Sequence, residues 1–195
     1  MQSVPVAAPN WQSLYDTAAS QEGLFTTRQA AAAGYSDPLL AHYQKVGRIA
    51  RIRRGIYRLV HFPSGEQEEL VTAWLWTEAI GVLSHQTALT LQGLSDVLPA
   101  QIHLTLPLTW RQRRLRVPKG LVLHYADVPL QDRSWNGAVP VTSTRRTLWT
   151  VPGLVDTTFR PPLPSARSLS DLHTPMLNVF VEHYKTARCN RTHQL

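Results

Sequence analysis

The chain has 195 residues, 43% of them hydrophobic, enough for one packed domain or two small ones. Its 20 Lys and Arg stand against 13 Asp and Glu, giving a net charge of +7 and a pI near 10.1, a balance that favours a polyanionic partner. A single cysteine, Cys189, excludes an internal disulfide and a Cys-based zinc site, and no run approaches the ~18–20 apolar residues of a membrane span.

In chain order, residues 1–10 carry neither a charged start nor an apolar run, so they are not a secretory signal and the cytoplasm is the expected compartment. Trp11, Leu14, Tyr15, Ala18 and Ala19 recur at helical spacing and predict a first helix ending before Gly23. Thr26 or Thr27 caps a second helix through the Ala-rich residues 29–33, and Gly34 stops it. Ser36 then caps a third helix with Pro38 in its first turn, so the two short helices form a helix-turn-helix by spacing. Leu39, Tyr43 and Val46 fall on one face and are expected to pack inward. Pro38, Ala41, His42 and Lys45 fall on the other, at i, i+3, i+4 and i+7.

Directly after this helix the charge becomes one-sided. Residues 1–60 hold seven basic and three acidic side chains, and six of the seven basic ones follow residue 44: Lys45, Arg48, Arg51, Arg53, Arg54 and Arg58. From Arg48 to Leu59 they are threaded among apolar residues at the period of a strand, broken at Arg53-Arg54-Gly55, which predicts a basic two-stranded hairpin. A third helix followed by such a wing is the outline of a winged helix-turn-helix that docks on double-stranded DNA. Ala41, His42 and Lys45, with Ser36 at the cap, are the expected contacts to base edges. Arg48, Arg51, Arg53, Arg54 and Arg58 are the expected contacts to phosphate or the minor groove.

Residues 61–66 read as a linker. A fourth helix starts with Glu66, Glu68 and Glu69, where the helix dipole favours acids, and carries Leu70, Ala73, Trp74 and Thr77 as its buried stripe. Ser84 caps a further helix over residues 88–92. The period then switches to two at Ile102, Leu104 and Leu106, again at Leu121, Leu123 and Tyr125, and briefly at Val139 and Val141, before Thr142-Ser143-Thr144 caps another helix. The expected organisation is therefore α+β: a winged helix-turn-helix over residues 1–62, a small α+β domain with a largely antiparallel sheet over residues 63–150, and a Pro-rich, loosely ordered tail over residues 151–195. A terminal helix is expected over residues 176–187.

A second basic cluster, Arg111, Arg113, Arg114, Arg116 and Lys119, lies between two predicted strands beside Trp110. It reads either as an auxiliary surface for DNA phosphate or an acidic partner, or as a solubilised hairpin tip. The eight histidines do not assemble into chemistry. There is no His-Glu-x-x-His, Gly-rich phosphate loop or Gly-x-Ser-x-Gly elbow, and the sparse acids give a nuclease only Asp171 and Glu182, near Lys185. Ser84 and His85 are adjacent, and neighbours one apart on a helix do not face each other, so they read as a cap and a packing histidine. The expectation is a non-enzyme without metal or cofactor.

With these residues placed, the chain resembles the AbiEi-type antitoxins of type IV toxin–antitoxin systems, which act in phage defence. The likeness runs from Gly23-Leu24-Phe25-Thr26-Thr27-Arg28-Gln29-Ala30 through Gly34-Tyr35-Ser36 to Arg53-Arg54-Gly55-Ile56-Tyr57-Arg58-Leu59. It continues in Leu83-Ser84-His85-Gln86-Thr87-Ala88-Leu89, Ile102-His103-Leu104-Thr105-Leu106-Pro107, Gly137-Ala138-Val139-Pro140-Val141-Thr142-Ser143 and Arg146-Thr147-Leu148. The resemblance implies a transcriptional repressor of its own operon; by analogy with winged helices in general, the operator is expected to hold inverted repeats read by a pair of copies. The repressor's second domain would counter a nucleotidyltransferase-like toxin without a stable complex. Alternatives left open are a general regulator without antitoxin activity and the remnant of a nuclease-like protein. Relatives continue past the Arg-Thr-Leu segment with an apolar helix, which Trp149-Thr150-Val151-Pro152-Gly153 breaks here. Residues 180–188 resemble a degraded transposase tail, which leaves a truncated or fused C-terminus open.

Overall fold

The computed structural model describes residues 8–96 and 98–151. Helix α1 (Trp11–Ala19) opens on Asn10, whose side chain accepts the Ser13 N–H at 3.1 Å. Strand β1 (Leu24–Thr26) runs straight into α2 (Thr27–Ala32) through a reciprocal capping box. The Thr26 hydroxyl accepts the Gln29 N–H at 3.2 Å, and the Gln29 side chain accepts the Thr26 N–H at 2.8 Å. Of the two candidate caps, Thr26 is the one used. Gly34, at φ +85, turns the chain into α3 (Asp37–Lys45). Strands β2 (Ile49–Arg53) and β3 (Ile56–Leu59) form the hairpin, and β1 adds to it in the antiparallel order β1-β3-β2. Helix, strand, two helices and a wing is the topology of a winged helix-turn-helix.

Its core unites Leu14, Ala18, Phe25, Ala30, Tyr35, Leu40, Ile49 and Leu59. Here α3 departs from the expected face. Leu40 is its buried anchor, Leu39 and Tyr43 are half-buried, and Val46 is 57% exposed. Val46 lies past the last helical residue and is carried outward by the turn at Gly47, φ +77.

The second part holds α4 (Glu68–Trp76), β4 (Val82–Leu83), α5 (His85–Leu91), β5 (Ile102–Leu106), β6 (Leu121–Tyr125), β7 (Arg133–Asn136), β8 (Val139–Thr142) and α6 (Thr144–Thr150). Its five-stranded sheet has the order β6-β5-β4-β8-β7. The expectation of a largely antiparallel sheet fails. β5 with β6 and β4 with β8 are parallel, whereas β4 with β5 and β7 with β8 are antiparallel. Alternation reveals which side chains share a face and is blind to strand direction. Parallel pairing makes residues 107–120 a crossover containing a 3₁₀ turn (Leu108–Gln112), so the second basic cluster is not a hairpin tip.

Helix α4 also differs from its expected stripe: Val71, Thr72, Ala73, Trp74 and Leu75 are all buried, because it packs on both sheets. One continuous core joins Leu24 and Ile56 of the small sheet to Val71, Trp74, Leu83, Leu104, Val139 and Val141. The expected terminal helix and all but the first residue of the Pro-rich tail lie outside the described residues.

Candidate nucleic-acid interface

Helix α3 is held by an aromatic cluster rather than by aliphatic packing alone. Tyr43 stacks on Trp11 at 6.0 Å between centroids and meets Tyr35 edge-on at 5.7 Å. This fixes the rotation of the helix and leaves Ser36, Ala41, His42 and Lys45 exposed together. Ser36 occupies the N-cap position without a side-chain cap bond, so its hydroxyl is not consumed by the helix. The Arg48 guanidinium lies 5.7 Å from the centroid of the Tyr43 ring, which ties the first cation of the wing to the body of α3.

In the hairpin, the turn closes through Arg54 and Gly55, the latter at φ +76, with a register shift between Arg51 and Arg53. Arg51 and Arg54 are exposed and Arg53 is partly so; the Arg51 Nε donates to the Arg53 carbonyl at 3.4 Å. Among the described residues, none of Lys45, Arg48, Arg51, Arg53 and Arg54 has an ion-pair partner. The tip is pinned by the Thr27 N–H donating to the Gly55 carbonyl at 2.9 Å. Arg28, exposed and next to that bond, adds a cation at the tip that the hairpin pattern does not contain.

Arg58 does not join this surface. It donates to the Phe62 carbonyl at 3.0 Å and the Ser64 hydroxyl at 2.7 Å, and its Nε lies 3.5 Å from Glu68. The expected phosphate contact is instead a clasp between β3 and α4. Its acidic partner comes from the next helix, where strand periodicity cannot see it.

Arg111, Arg113, Arg114, Arg116 and Lys119 are all exposed on the crossover. Arg113 lies over the Trp110 ring at 4.0 Å and pairs with Glu78 at 3.7 Å. Trp110 itself is 6% exposed, so it packs and offers no face to a base.

The second domain also contradicts the reading of Ser84 and His85 as non-facing neighbours. Ser84 is fully buried with extended backbone, and His85 begins α5 in the left-handed region at φ +54. The break in helical geometry between them turns the imidazole back, and the His85 Nδ1 lies 2.9 Å from the Ser84 hydroxyl. Ser84 therefore sits at the cap position with no side-chain cap bond, and the Thr105 hydroxyl donates to it at 2.8 Å. The His85 ring stacks on His124 at 3.6 Å, and His103 Nδ1 lies 3.0 Å from His124 Nε2. Burial lowers the pKa of His85 to about 4, with His124 and then His103 adding to the shift; burial also lowers His103 and His124. Among the described residues no group of three or more His, Cys, Asp or Glu side chains is arranged to hold a metal ion. No described helix is long and apolar enough to cross a membrane.

Fold and exposed basic surface together place the N-terminal part in the winged helix-turn-helix class. Residues 12–60 match the family described as "Transcriptional regulator, AbiEi antitoxin", the one the sequence resembles, and the match covers the winged-helix part. Among solved structures, the RV2827C protein from Mycobacterium tuberculosis is similar at 15% identity and a TM-score of 0.42, over 69% of this chain and 57% of that one. This chain thus spans little more than half the length of that structure. No curated protein matches it.

Proposed function

We propose that this protein is a cytoplasmic DNA-binding antitoxin that represses its own operon and counters a nucleotidyltransferase-like toxin without a stable complex. The observation that carries the DNA-binding reading is the solvent-facing side of α3, with His42 and Lys45 exposed, continued through Arg48 into a wing on which Arg51, Arg53 and Arg54 have no acidic partner among the described residues. Unpaired guanidinium groups on a hairpin release counterions from phosphates, which supplies affinity for any duplex. The exposed helix face supplies discrimination, because side chains in the major groove meet a distinct donor and acceptor pattern at each base pair. The family matched over residues 12–60 supports the regulatory and antitoxin parts of this reading. An operator of inverted repeats would be occupied by two copies, each placing one α3 in a major groove.

The test is a mobility-shift titration of the full chain against its own promoter and a scrambled duplex, with toxin co-expression beside it. Tighter binding to the promoter and rescue of growth are the expected results. Equal binding to both duplexes refutes repression at a specific operator, and undiminished toxicity refutes the antitoxin role.

A further inference from the structure

A cleft of about 430 Å³ opens in the second domain between the start of α5, the ends of β5 and β6, and α6. It is far from featureless. Arg111 reaches it from the crossover and Arg146 from α6, with His85 and His124 on one wall and Leu123 and Val128 contributing apolar surface. No carboxylate lines it among the described residues.

One feature shows a polar group of the cleft that the fold leaves unsatisfied, and a second shows a wall of the cleft held in a strained conformation. The Nε of Arg146 is buried without a hydrogen-bond partner, although the Arg146 Nη1 lies 3.5 Å from Asp132 and its Nη2 donates to the Asp127 carbonyl at 3.4 Å. A buried, unpartnered cationic donor is costly and calls for an acceptor. Asp132 does not cancel the local charge, since it also pairs with Arg145 at 3.0 Å. Second, His85 is held at φ +54, a conformation that costs a non-glycine residue ~1 kcal/mol or more and persists where the surroundings impose it. What imposes it is the relay from Thr105 through Ser84 to the His85 Nδ1, together with the stack on His124. Because the Ser84 hydroxyl accepts from Thr105, its own proton is available to the His85 Nδ1, and in that tautomer the His85 Nε2 is the donor.

We propose that this cleft binds the phosphomonoester of a small organic molecule, with Arg111, Arg146 and the His85 ring meeting the oxyanion and Leu123 and Val128 meeting the organic group. Two guanidinium groups in a lining that holds no carboxylate, with Asp132 behind Arg146 shared with Arg145, favour a dianion, and Arg forks match phosphate oxygens two at a time. The cleft is several times larger than phosphate and within the ~300–1,000 Å³ range of small-molecule sites, which is why an ester rather than free phosphate is assigned. Burial keeps the imidazoles neutral in the free site, and a bound phosphate oxyanion beside them favours the proton-bearing form that can donate to it.

The experiment follows the histidine ring signals of the full-length protein by ¹H–¹⁵N NMR during titration with inorganic phosphate and with phenyl phosphate, against chloride at matched ionic strength. Saturable shifts at His85 and His124 are expected, with phenyl phosphate binding at least ~3-fold tighter for the apolar contact it adds. Arg111→Gln, at an exposed position that the fold does not use, is expected to weaken both at least ~10-fold, the equivalent of one charge-assisted hydrogen bond. Equal affinities for the two probes would overturn the ester assignment. Shifts that do not saturate, that chloride reproduces, or that survive in Arg111→Gln would overturn the site, as would displacement by a duplex alone with no response to either phosphate. None of these outcomes bears on α3 or the wing, so the DNA-binding reading stands or falls separately.

Discussion

Replacing Arg53 and Arg54 together with Gln tests the wing most directly. Each phosphate neutralised on B-DNA contributes about 0.9 to the slope of log affinity against log salt. Arg48, Arg51, Arg53 and Arg54 are the wing guanidinium groups without acidic partners among the described residues, so four contacts set a slope near −3.6. Losing two brings it to about −1.8. The same relation fixes how the loss varies with salt: the double variant's deficit should shrink about 25-fold between ~50 mM and ~300 mM. Fluorescence anisotropy with promoter and scrambled duplexes at salt concentrations across that range reads both quantities, and the loss should be equal for the two sequences. Arg58→Gln is the internal control. Its side chain is occupied by Phe62, Ser64 and Glu68, so it should leave the slope within ~0.3 of wild type. A double variant with an unchanged slope, or an Arg58→Gln slope as flat as the double variant's, would refute the placement of charge argued from the wing.

Substituting His42 or Lys45 with Ala should leave the salt slope of scrambled DNA nearly unchanged and reduce the preference for the promoter by ~1–3 kcal/mol, measured as the ratio of the two affinities. Acidification should destabilise the second domain: the folded pKa of His85 is about 4 against 6.5 for the free side chain, so the unfolded state binds the extra proton and stability falls as pH drops from 6.5 toward 4. The full shift corresponds to about 3 kcal/mol, which solvent screening of a half-exposed ring reduces to ~1–2 kcal/mol. His103 and His124 add in the same direction, while Arg111, Arg146 and Tyr125 face the same cleft and Asp132 pairs with Arg146. The wild-type minus His85→Gln difference in denaturant midpoint across that range isolates the effect, and a pH-independent difference refutes it. Ile56→Ala should cost ~2–4 kcal/mol and lower one shared unfolding transition; a split into two transitions would show that the two parts fold independently.

Much of the winged helix is legible in the sequence because its signals are local. Asn10, Thr26 and Gln29 cap helices within a turn of themselves, Gly34 and Gly55 mark positive-φ turns, and the alternation from Arg48 to Leu59 maps onto one hairpin. What the sequence hides is set by partners far along the chain. Arg58 looks like every other wing arginine until Glu68 is brought beside it. Strand β4 is two residues long and pairs with both β5 and β8, so no periodicity announces it. The same holds for the histidine stack: His85, His103 and His124 are spread over 40 positions and meet only because β5 and β6 run parallel and α5 starts with an irregular residue. The adjacency rule for Ser84 and His85 fails for that reason, since it assumes both residues already lie within the helix.

The shared core bears on how regulation and any second-domain activity can be separated. Leu24 lies on β1 and Ile56 on β3, both within the winged-helix part, yet both are buried in the core with Val71, Trp74, Leu83 and Val141. The Glu22 carboxylate accepts the Gln67 N–H at 3.1 Å, and Gln67 in turn donates to Asn136 at 2.7 Å, so a polar chain crosses the same boundary as far as β7. Removing residues 1–62 would therefore strip apolar cover from α4 and take away the partners of the Gln67 N–H and the Glu68 carboxylate, and loss of antitoxin activity in such a truncation would report unfolding rather than function. Changes confined to half-buried Arg53 and exposed Arg54, His42 and Lys45 touch neither the core nor this chain, and they separate DNA binding from whatever the second part does while it remains folded. The physical connection also runs the other way. α4 rests on the small sheet on one side and on β5 and β8 on the other, and β5 carries Thr105 at the cleft and His103 beside its His124 wall.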